Sequence, residues 1–513
     1  MLITIIITEI QAALEVYTFN LDRATVFAGI GSFGKTLKEL FIDGPCTHYF
    51  SLTSLLGLLP ALTHLMIKRT YLDDDNPFPD DESINGQNQQ NIQSDNDDDN
   101  SNDEMYNLVF LYLDSSFRPK FHIKQIVKRC HRLKYLLAST LVLMENEGSA
   151  SIDFASVLEL CPSIQYVRWG GHIVEKRTQK EWLTLSRREK RHTDNENTSD
   201  SKKVGANDLR RVGLCSNIEG QHISTLKACF QQPSSLKHLR LFGLFKISLY
   251  RLWNSFTYRN RNLLSQFPKI KSLELERFCI PHHIENDIFF ENLFSPFQHI
   301  ILLKMGLYVT RVGNVDEERN SVSKIFEAIG HQLHQLQCLY LHLAGLKKLV
   351  TRMVLRDNLF TTLCAGNREL RLLHLCNVPI SNDMLLDLCD HPKLHTLSLS
   401  GYHLHKQLTK DGWVSFARKR KEQDQTNNGR IRSIWLTRCY HGGVTDEVLE
   451  EFAGIKSLET LVVTCNKDIT DSGVNKFESI RSISSKNHKK IELWDCINVS
   501  LDNPNAVFVH PHF

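Results

Sequence analysis

The stretch GIGSFGKT, residues 29–36, has the residue types of a phosphate-binding loop, because it fits both the G-x-x-x-x-G-K-[ST] and the G-x-G-x-x-G patterns. Glycines let backbone N–H groups close around a phosphate, and Lys35 would neutralise its charge. The segment TVFA before the loop would supply the required strand. Asp114, at the end of LVFLYLD, would supply the acid that supports magnesium. A phosphate-loop NTPase is therefore one candidate function.

A second set of residues has spacing that loosely resembles a metal site: Cys389, His391 and His395. Pro392 and the strand-like segment LHTLSL explain the same residues as a junction between two repeats. The thirteen cysteines include no CxxC pair with zinc spacing, and small thiols that follow strands behave as core hydrophobes. We expect structural cysteines in a reducing compartment, with no metal ion and no cofactor.

No serine–histidine–aspartate or paired-carboxylate set stands out among the 23 histidines, so we expect no catalytic residues and no enzyme activity. The 61 Lys and Arg residues nearly balance the 58 Asp and Glu residues, for a net charge of +3. This balance gives no reason to expect a nucleic-acid or membrane partner. The apolar start MLITIIITEI meets Glu9 too early to span a bilayer.

A unit of the form L-x-x-L-x-L, with any aliphatic residue at the L positions, recurs along the whole chain. Its fifteen copies begin at residues 37, 62, 108, 133, 164, 209, 236, 270, 300, 336, 370, 394, 431, 458 and 488. Most successive copies lie 24 to 37 residues apart, which leaves room for one strand, one helix and two turns. The spacing predicts a solenoid with fifteen strands. Because LKELFI is then a strand directly after Lys35, it conflicts with the helix that a phosphate loop requires.

The two largest gaps between units contain polar segments. Residues 73–104 hold twelve acids and no base, and residues 175–203 include the basic cluster RREKRH. Segments with so little apolar mass cannot offset their ordering entropy, so we expect a disordered acidic insert and a charged insert. The predicted organisation is an N-terminal cap or degenerate repeat over 1–36, a solenoid over 37–500 and a tail over 501–513. The clusters RREKRH and RKRK (418–421) are either import signals, contacts to an acidic partner, or solvated helix ends and loops.

Three C-terminal repeats share a second pattern after the strand: a cysteine, then an apolar residue, a hydroxyl residue and a polar or acidic residue. The cysteines are Cys376, Cys439 and Cys465, and the hydroxyl residues are Ser381, Thr445 and Thr470. A hydroxyl residue at this place accepts hydrogen bonds from the first N–H groups of a helix. The apolar residue before it can pack against the fourth helical residue. Each repeat therefore contains its own signal for a helix start.

The L-x-x-L-x-L-x-x-C and I-T-D patterns resemble the cysteine-containing leucine-rich repeats of F-box/LRR proteins, chiefly over residues 360–500. ELCPSIQYVRW and LCDHPKLHTLSL resemble the Cys-x-(x)-Pro-x-Leu entry of those repeats. The resemblance implies an α/β fold, a right-handed horseshoe with a concave parallel sheet and convex helices. It also implies capture of a protein substrate for a cullin (SCF-type) ubiquitin ligase. No stretch before Leu37 resembles the Leu-Pro-x-Glu opening and tryptophan-ended helices of an F-box, so contact with the ligase adaptor stays open.

On the concave face, one row of side chains points away from the helices because side chains alternate along a strand. We call it the outward row: Phe41, Met66, Tyr112, Leu137, Arg168, Gly213, Arg240, Glu274, Lys304, Tyr340, His374, Ser398, Trp435, Val462 and Glu492. It predicts an exposed basic centre with aromatic residues on either side, and Arg211 and His238 from the neighbouring row add to the centre. The candidate partner-binding residues are Arg168, Arg211, His238, Arg240, Lys304, Tyr340, His374 and Trp435.

The partner expected for such a row is a protein with an acidic or phosphorylated segment. The leading hypothesis is a monomeric substrate-recognition protein of the ubiquitin pathway, in the cytoplasm, the nucleus or both. The alternatives are an interaction scaffold with no ligase connection and the phosphate-loop NTPase.

Deletion of residues 73–104 should leave the fold intact, because the segment has almost no apolar side chains to bury. Chemical denaturation of the deletion variant and the full chain measures this. Loss of a cooperative transition in the deletion variant would show that the segment is a structural element.

Overall fold

The structure is a computed structural model, and it divides into two compact units, Met1–Leu236 and Lys237–Phe513. The residues that it describes are 6–8, 13–17, 36–43, 49–50, 52–72, 105–117, 123–138, 160–161, 163–169, 211–215, 236–242, 270–279, 294–309, 315–345, 359–401, 408–426, 431–438, 443–484 and 491–508. The inserts 73–104 and 175–203 and the loop residues 29–35 lie outside these ranges. Among the helices in them, none combines the length and apolar character needed to cross a membrane.

Unit 1 contains a largely parallel sheet. Its strands are β1 (Ile6–Thr8), β2 (Ala13–Tyr17), β3 (Glu39–Asp43), β4 (Tyr49–Phe50), β5 (His64–Leu72), β6 (Phe110–Phe117), β7 (Tyr135–Ala138), β8 (Tyr166–Trp169) and β9 (Arg211–Cys215). Strand β1 is antiparallel to β2, while β2, β3, β5, β6, β7, β8 and β9 pair in that order in parallel. Helices α1 (Leu52–Leu58) and α2 (Ile123–Arg129) precede β5 and β7. Two of these strands, β1 and β2, lie in the predicted cap.

Unit 2 contains ten parallel strands that pair in chain order. They are β10 (His238–Phe242), β11 (Ser272–Cys279), β12 (Leu302–Val309), β13 (Cys338–Gly345), β14 (Leu372–Cys376), β15 (Thr396–Ser400), β16 (Ser433–Thr437), β17 (Thr460–Thr464), β18 (Ile491–Trp494) and β19 (Ala506–Phe508). The helices between them are α3 (Val315–Gln332), α4 (Leu359–Gly366), α5 (Asn382–Asp387), α6 (Lys410–Gln425), α7 (Asp446–Ala453) and α8 (Asp471–Ser484). The predicted tail thus contributes a strand, β19.

All fifteen predicted units coincide with strands of the structure, β3 and β5–β18. Their leucine positions form the core: Leu339, Leu341, Leu373 and Leu397 are fully buried. Leu37 and Lys38 lead directly into strand β3, so the chain after the GIGSFGKT stretch is extended where a phosphate loop requires a helix. The phosphate-loop interpretation is therefore wrong.

The residue that follows a strand has the same unusual backbone in several repeats of unit 2. Its φ is positive at Asn377 (56°), Gly401 (135°), Arg438 (57°), Cys465 (54°) and Asp495 (52°). The N–H of Asn377 donates to Ser400 of the next strand (2.6 Å), and that of Cys465 donates to Trp494 (2.8 Å). These lateral bonds hold a conformation that non-glycine residues rarely adopt.

The three cysteines that follow strands are therefore not equivalent, contrary to the predicted pattern. Cys376 ends strand β14 and Cys465 occupies the positive-φ turn, while Cys439 lies outside the described residues. Cys496, which the pattern missed, is buried and its Sγ donates to the Val463 carbonyl at 3.6 Å. These thiols serve as packing groups at the strand ends.

The predicted helix starts are confirmed, but their hydrogen bonds run between repeats as well as within them. The Ser381 hydroxyl accepts from the Met384 N–H at 3.2 Å, as an N-cap does. Thr470 instead donates its hydroxyl to Asp446, the first residue of α7, at 2.6 Å, and its N–H donates to the same carboxylate at 2.8 Å. Asn382, the first residue of α5, likewise bonds Thr409, the residue before α6.

Lys410 interrupts this series, because it is the first residue of α6 and cannot accept a hydrogen bond. The hydroxyl of Thr445, the residue before α7, is correspondingly buried without a partner. The third helical residue follows the same rule. In α6 and α8 this residue is Gly412 or Gly473, because a Cβ atom there would collide with Asn382 or Asp446 of the previous helix. In α7, where the previous helix begins with Lys410, the residue is Val448.

Replacing Thr470 by alanine should therefore destabilise unit 2 by about 1 kcal/mol, since it removes a charge-assisted bond between two repeats. Thr445→Ala is the matched control and should cost clearly less, because that hydroxyl has no bond to lose. Urea denaturation midpoints compare the two. Equal losses would contradict the described bonding.

Candidate functional site

The outward row is in strict register in both units, as predicted. In unit 1, Phe41, Met66, Tyr112, Leu137, Arg168 and Gly213 are successive lateral partners. In unit 2, the partners run from Arg240 through Glu274, Lys304, Tyr340, His374, Ser398, Trp435 and Val462 to Glu492. Side chains spread over hundreds of residues of sequence therefore meet at strand spacing.

In unit 1 this row is not the exposed surface that its sequence position predicts. Phe41, Met66, Tyr112 and Leu137 are 0–5% exposed and pack with Phe110 and Tyr135 of the neighbouring row. The Lys68 ammonium lies 5.6 Å from the Phe41 ring centroid and 5.4 Å from that of Tyr112. This face is an apolar core, closed by a cation–π contact.

Arg168 belongs to the same buried face. It is only 8% exposed and lies in register with Leu137, which is fully buried. Arg211 is placed on β9, beside Tyr166 of β8. The expectation that Arg168 is an exposed residue is therefore wrong, because only 8% of the residue is exposed.

In unit 2 the predicted basic residues are neutralised within the sheet. Arg240 lies 2.6 Å from Glu276 and 3.4 Å from Glu274, and Lys304 lies 3.4 and 3.8 Å from the same two carboxylates. We call these four residues the ion-pair cluster. Two positive and two negative charges leave it formally neutral, so Arg240 and Lys304 do not make a basic centre. His238 is half-buried on β10, directly opposite Ser272.

Beyond the ion-pair cluster the row becomes aromatic. We call Tyr340, His374 and Trp435 the aromatic patch. The rings of Tyr340 and His374 lie 5.6 Å apart, and His374 Nδ1 shares a hydrogen bond of 2.7 Å with the Ser398 hydroxyl. Trp435 is 40% exposed, although its flanking strand residues Ile434 and Leu436 are fully buried. The patch thus consists of an exposed indole on β16 and two half-buried rings on β13 and β14, with Ser398 of β15 between them.

Two histidines of this face, His374 and His342, have lowered pKa values, which favours their neutral forms. Burial lowers the pKa of His374, and His342 and Lys304 lower it further. Burial also lowers the pKa of His342, whose Nε2 lies 3.5 Å from the Asn377 side-chain nitrogen. The hydrogen bond to Ser398 fixes the orientation of the His374 imidazole ring.

The metal-like set around His391 is a repeat junction, as its alternative interpretation predicts. His391 is 1% exposed, its Nε2 donates to the Asn367 carbonyl (2.8 Å), and its Nδ1 accepts from the Lys393 N–H (3.2 Å). Both ring nitrogens are thus used by the main chain. Burial raises the pKa of the Cys389 thiol to about 12, which keeps it protonated. His395 lies apart, at the start of β15.

The RKRK cluster is also engaged within the fold. Arg418 pairs with Glu451 at 2.8 Å, and Lys419 with Asp390 at 2.9 Å. Arg420 is 1% exposed and donates to the Leu388 carbonyl at 2.7 Å. These contacts favour a structural role at α6 over an import signal. The other cluster, RREKRH, lies outside the described residues.

The residue immediately before each strand forms a further row of unit 2 that the sequence patterns did not single out. We call it the edge row: Lys237, Lys271, Ile301, Gln337, Arg371, His395, Arg432 and Glu459. Each carbonyl of the row from Lys237 to Arg432 accepts N–H groups from the next repeat, at 2.7–3.0 Å. The sequence could have predicted this row, because each of its residues directly follows the first leucine position of a unit.

No family model and no curated protein matches the sequence. Among solved structures, the chain is similar to the yeast Rad7–Elc1 complex (16% identity, TM-score 0.37, 58% of this chain and 73% of that one). It is also similar to an internalin of Listeria monocytogenes (11%, TM-score 0.31, 94% and 86%) and to the mouse RP105/MD-1 complex (13%, TM-score 0.32, 95% and 66%). Because these TM-scores are below 0.5, we draw no functional conclusion from them.

The class of protein follows from the repeats themselves. In each unit, leucine-rich segments form the strands of a largely parallel sheet, and helices lie between strands along the chain. The chain is a leucine-rich-repeat protein of the α/β type, as its sequence predicts.

Because Arg168 is buried, Arg168→Ala should destabilise the chain by about 2 kcal/mol through the lost packing of its side chain. Lys304→Ala is the control: its side chain is 48% exposed, so the change should stay within about 0.5 kcal/mol. Guanidinium denaturation of both variants measures the difference. An Arg168→Ala variant as stable as wild type would restore the predicted exposed site.

Proposed function

We propose that this chain is a non-catalytic protein-binding repeat protein and that the aromatic patch of unit 2 anchors its partner. One observation carries the proposal. Trp435 is 40% exposed on a strand whose backbone is bonded on both sides, and in the same row the half-buried Tyr340–His374 pair begins two strands away, beyond Ser398. Aromatic side chains on a rigid support are the residues that dominate protein interfaces.

The physical advantage of this arrangement is preorganisation. The patch residues lie on β13, β14 and β16, so binding does not have to order a loop. An indole and a phenol offer large contact areas with few rotatable bonds. The neutral histidines add no desolvated charge to the interface. The partner is therefore a protein segment that presents apolar groups to the patch.

The finer function that we propose is substrate recognition for an SCF-type ubiquitin ligase, by a monomer in the cytoplasm or nucleus. This rests on the resemblance of residues 360–500 to the repeats of F-box/LRR proteins. The alternative, a scaffold with no ligase connection, is favoured by one observation. Residues 6–8 and 13–17 are strands that extend the repeat sheet, whereas an F-box consists of helices.

Trp435→Ala should weaken partner binding by about 2 kcal/mol, roughly 30-fold, without changing the denaturation midpoint. The matched control is Leu58→Ala, since Leu58 is an equally exposed apolar side chain (42%) outside the patch. Affinity purification identifies the partners of the wild-type chain, and titration calorimetry with a purified partner gives the two affinities. Equal affinity of the Trp435→Ala variant would refute the patch as the anchor.

The ligase connection is tested separately. The purified full chain is mixed with the purified cullin adaptor and passed over a size-exclusion column. Co-elution supports the ligase function, whereas separate elution, together with a Trp435-dependent partner, establishes the scaffold.

A further inference from the structure

Three residues of the edge row bring cationic side chains together. Arg371, His395 and Arg432 immediately precede the adjacent strands β14, β15 and β16. The Arg371 carbonyl accepts from the His395 N–H at 2.9 Å, and the His395 carbonyl accepts from the Arg432 N–H at 2.8 Å. The backbones therefore follow one another at strand spacing, with the imidazole between the two guanidinium groups.

The acidic residues near this triplet compensate it only weakly. Glu459 lies 3.9 Å from Arg432 Nε, and both side chains are more than half exposed. Glu369 pairs with Lys393 at 2.5 Å, which lowers the pKa of its carboxyl group, and Arg371 lowers that pKa further. An exposed ion pair at such a distance contributes little to stability, so Arg432 can readily exchange Glu459 for a better hydrogen-bond acceptor. The contrast with the ion-pair cluster is clear, because there two carboxylates lie between the two bases.

The pKa of His395 depends on the charged groups around it. Partial burial lowers its pKa, and Arg432 and Arg371, which flank it, lower it further. The free protein therefore holds His395 neutral at pH 7. An anion bound between the two guanidinium groups would reverse this effect and favour the imidazolium.

We propose that Arg371, His395 and Arg432 form a binding site for a phosphorylated side chain of the partner segment. The inference rests on the proposed function, for which it names the partner chemistry. A phosphomonoester carries a charge of about −1.5 to −2 at pH 7 and three acceptor oxygens. It can accept from two guanidinium groups and one imidazolium, whereas a carboxylate has two oxygens and one charge.

One residue of the site, Arg432, lies in the same repeat as Trp435 of the aromatic patch. Trp435 is three residues beyond Arg432, which is about 10 Å along strand β16. A single extended segment can therefore place a phosphoryl group at the edge row and an apolar residue on the indole. This geometry makes the triplet the specificity element and the patch the anchor.

The probe is a pool of labelled peptides with a central phosphoserine between randomised positions, and matched pools carry serine or glutamate there. Fluorescence anisotropy of the full chain should show binding of the phosphoserine pool, competed by inorganic phosphate. The Arg371→Gln/Arg432→Gln double variant should lose about tenfold or more in affinity. Lys237→Gln/Lys271→Gln is the matched control in the same row and should bind as wild type.

The pH dependence gives an independent readout. His395 is neutral in the free protein and protonated in the complex, so binding takes up a proton and tightens as the pH falls from 8 to about 6.5. The lower limit is set by the phosphate, whose second pKa is about 6. His395→Asn should remove this dependence while leaving the denaturation midpoint near that of wild type.

The proposal is wrong if the serine or glutamate pool binds as tightly as the phosphoserine pool, or if no pool binds. It is also wrong if a single-stranded oligonucleotide binds and the phosphopeptides do not. The proposal is likewise wrong if the Arg371→Gln/Arg432→Gln variant binds the phosphoserine pool as tightly as wild type. If a partner captured through Trp435 binds the double variant as it binds wild type, the phosphate site is wrong and the proposed function stands. If no partner depends on Trp435 but the phosphoserine pool binds, the phosphate site stands and the proposed function is wrong.

Discussion

The lateral backbone hydrogen bonds between parallel strands are the interaction on which everything else in this protein depends. They begin one residue before each strand, where Arg371, for example, accepts from both His395 and Thr396, and they continue through the positive-φ turn after it. A slip of one residue would turn every leucine outward and every outward side chain inward. The buried leucines fix the register, and the register then fixes which distant residues meet.

The same repetition works on the helix side of the sheet. An Asn or Asp at the first position of one helix binds the residue before the next helix, and glycine at Gly412 or Gly473 makes room for it. Arg420 and Arg481 also link neighbouring repeats. Each has a buried guanidinium group that donates hydrogen bonds to backbone carbonyl oxygens of the preceding repeat. Stability is therefore distributed over nearest-neighbour interfaces, as in other repeat proteins.

Much of the fold could be predicted from the sequence, because leucine spacing reports both the strands and their faces. The unit LHTLSL gives strand β15 and the orientation of Ser398 without further information. The environment of a face could not be predicted in this way. Arg168 and Arg240 occupy the same row, yet one is buried beside Leu137 and the other shares two glutamates with Lys304. Burial and charge compensation depend on side chains of adjacent repeats, which a pattern within one repeat does not contain.

The candidate site shows the same limit. Tyr340, His374 and Trp435 were identified because they stand in one row, but the edge row was missed because its residues lie outside the alternating strand pattern. Arg371, His395 and Arg432 share only their place after a leucine, and their proximity comes from the carbonyl ladder before the strands.

The register is tested most directly by thiol cross-linking across one strand pair. The account predicts that Ser398→Cys and Trp435→Cys, which are lateral partners on the outward face, are joined by a short bifunctional thiol reagent and recovered as one cross-linked peptide. Ser398→Cys with Leu436→Cys should give no product, because Leu436 is fully buried on the opposite face. A product from the second pair and none from the first would contradict the register, and with it the aromatic patch.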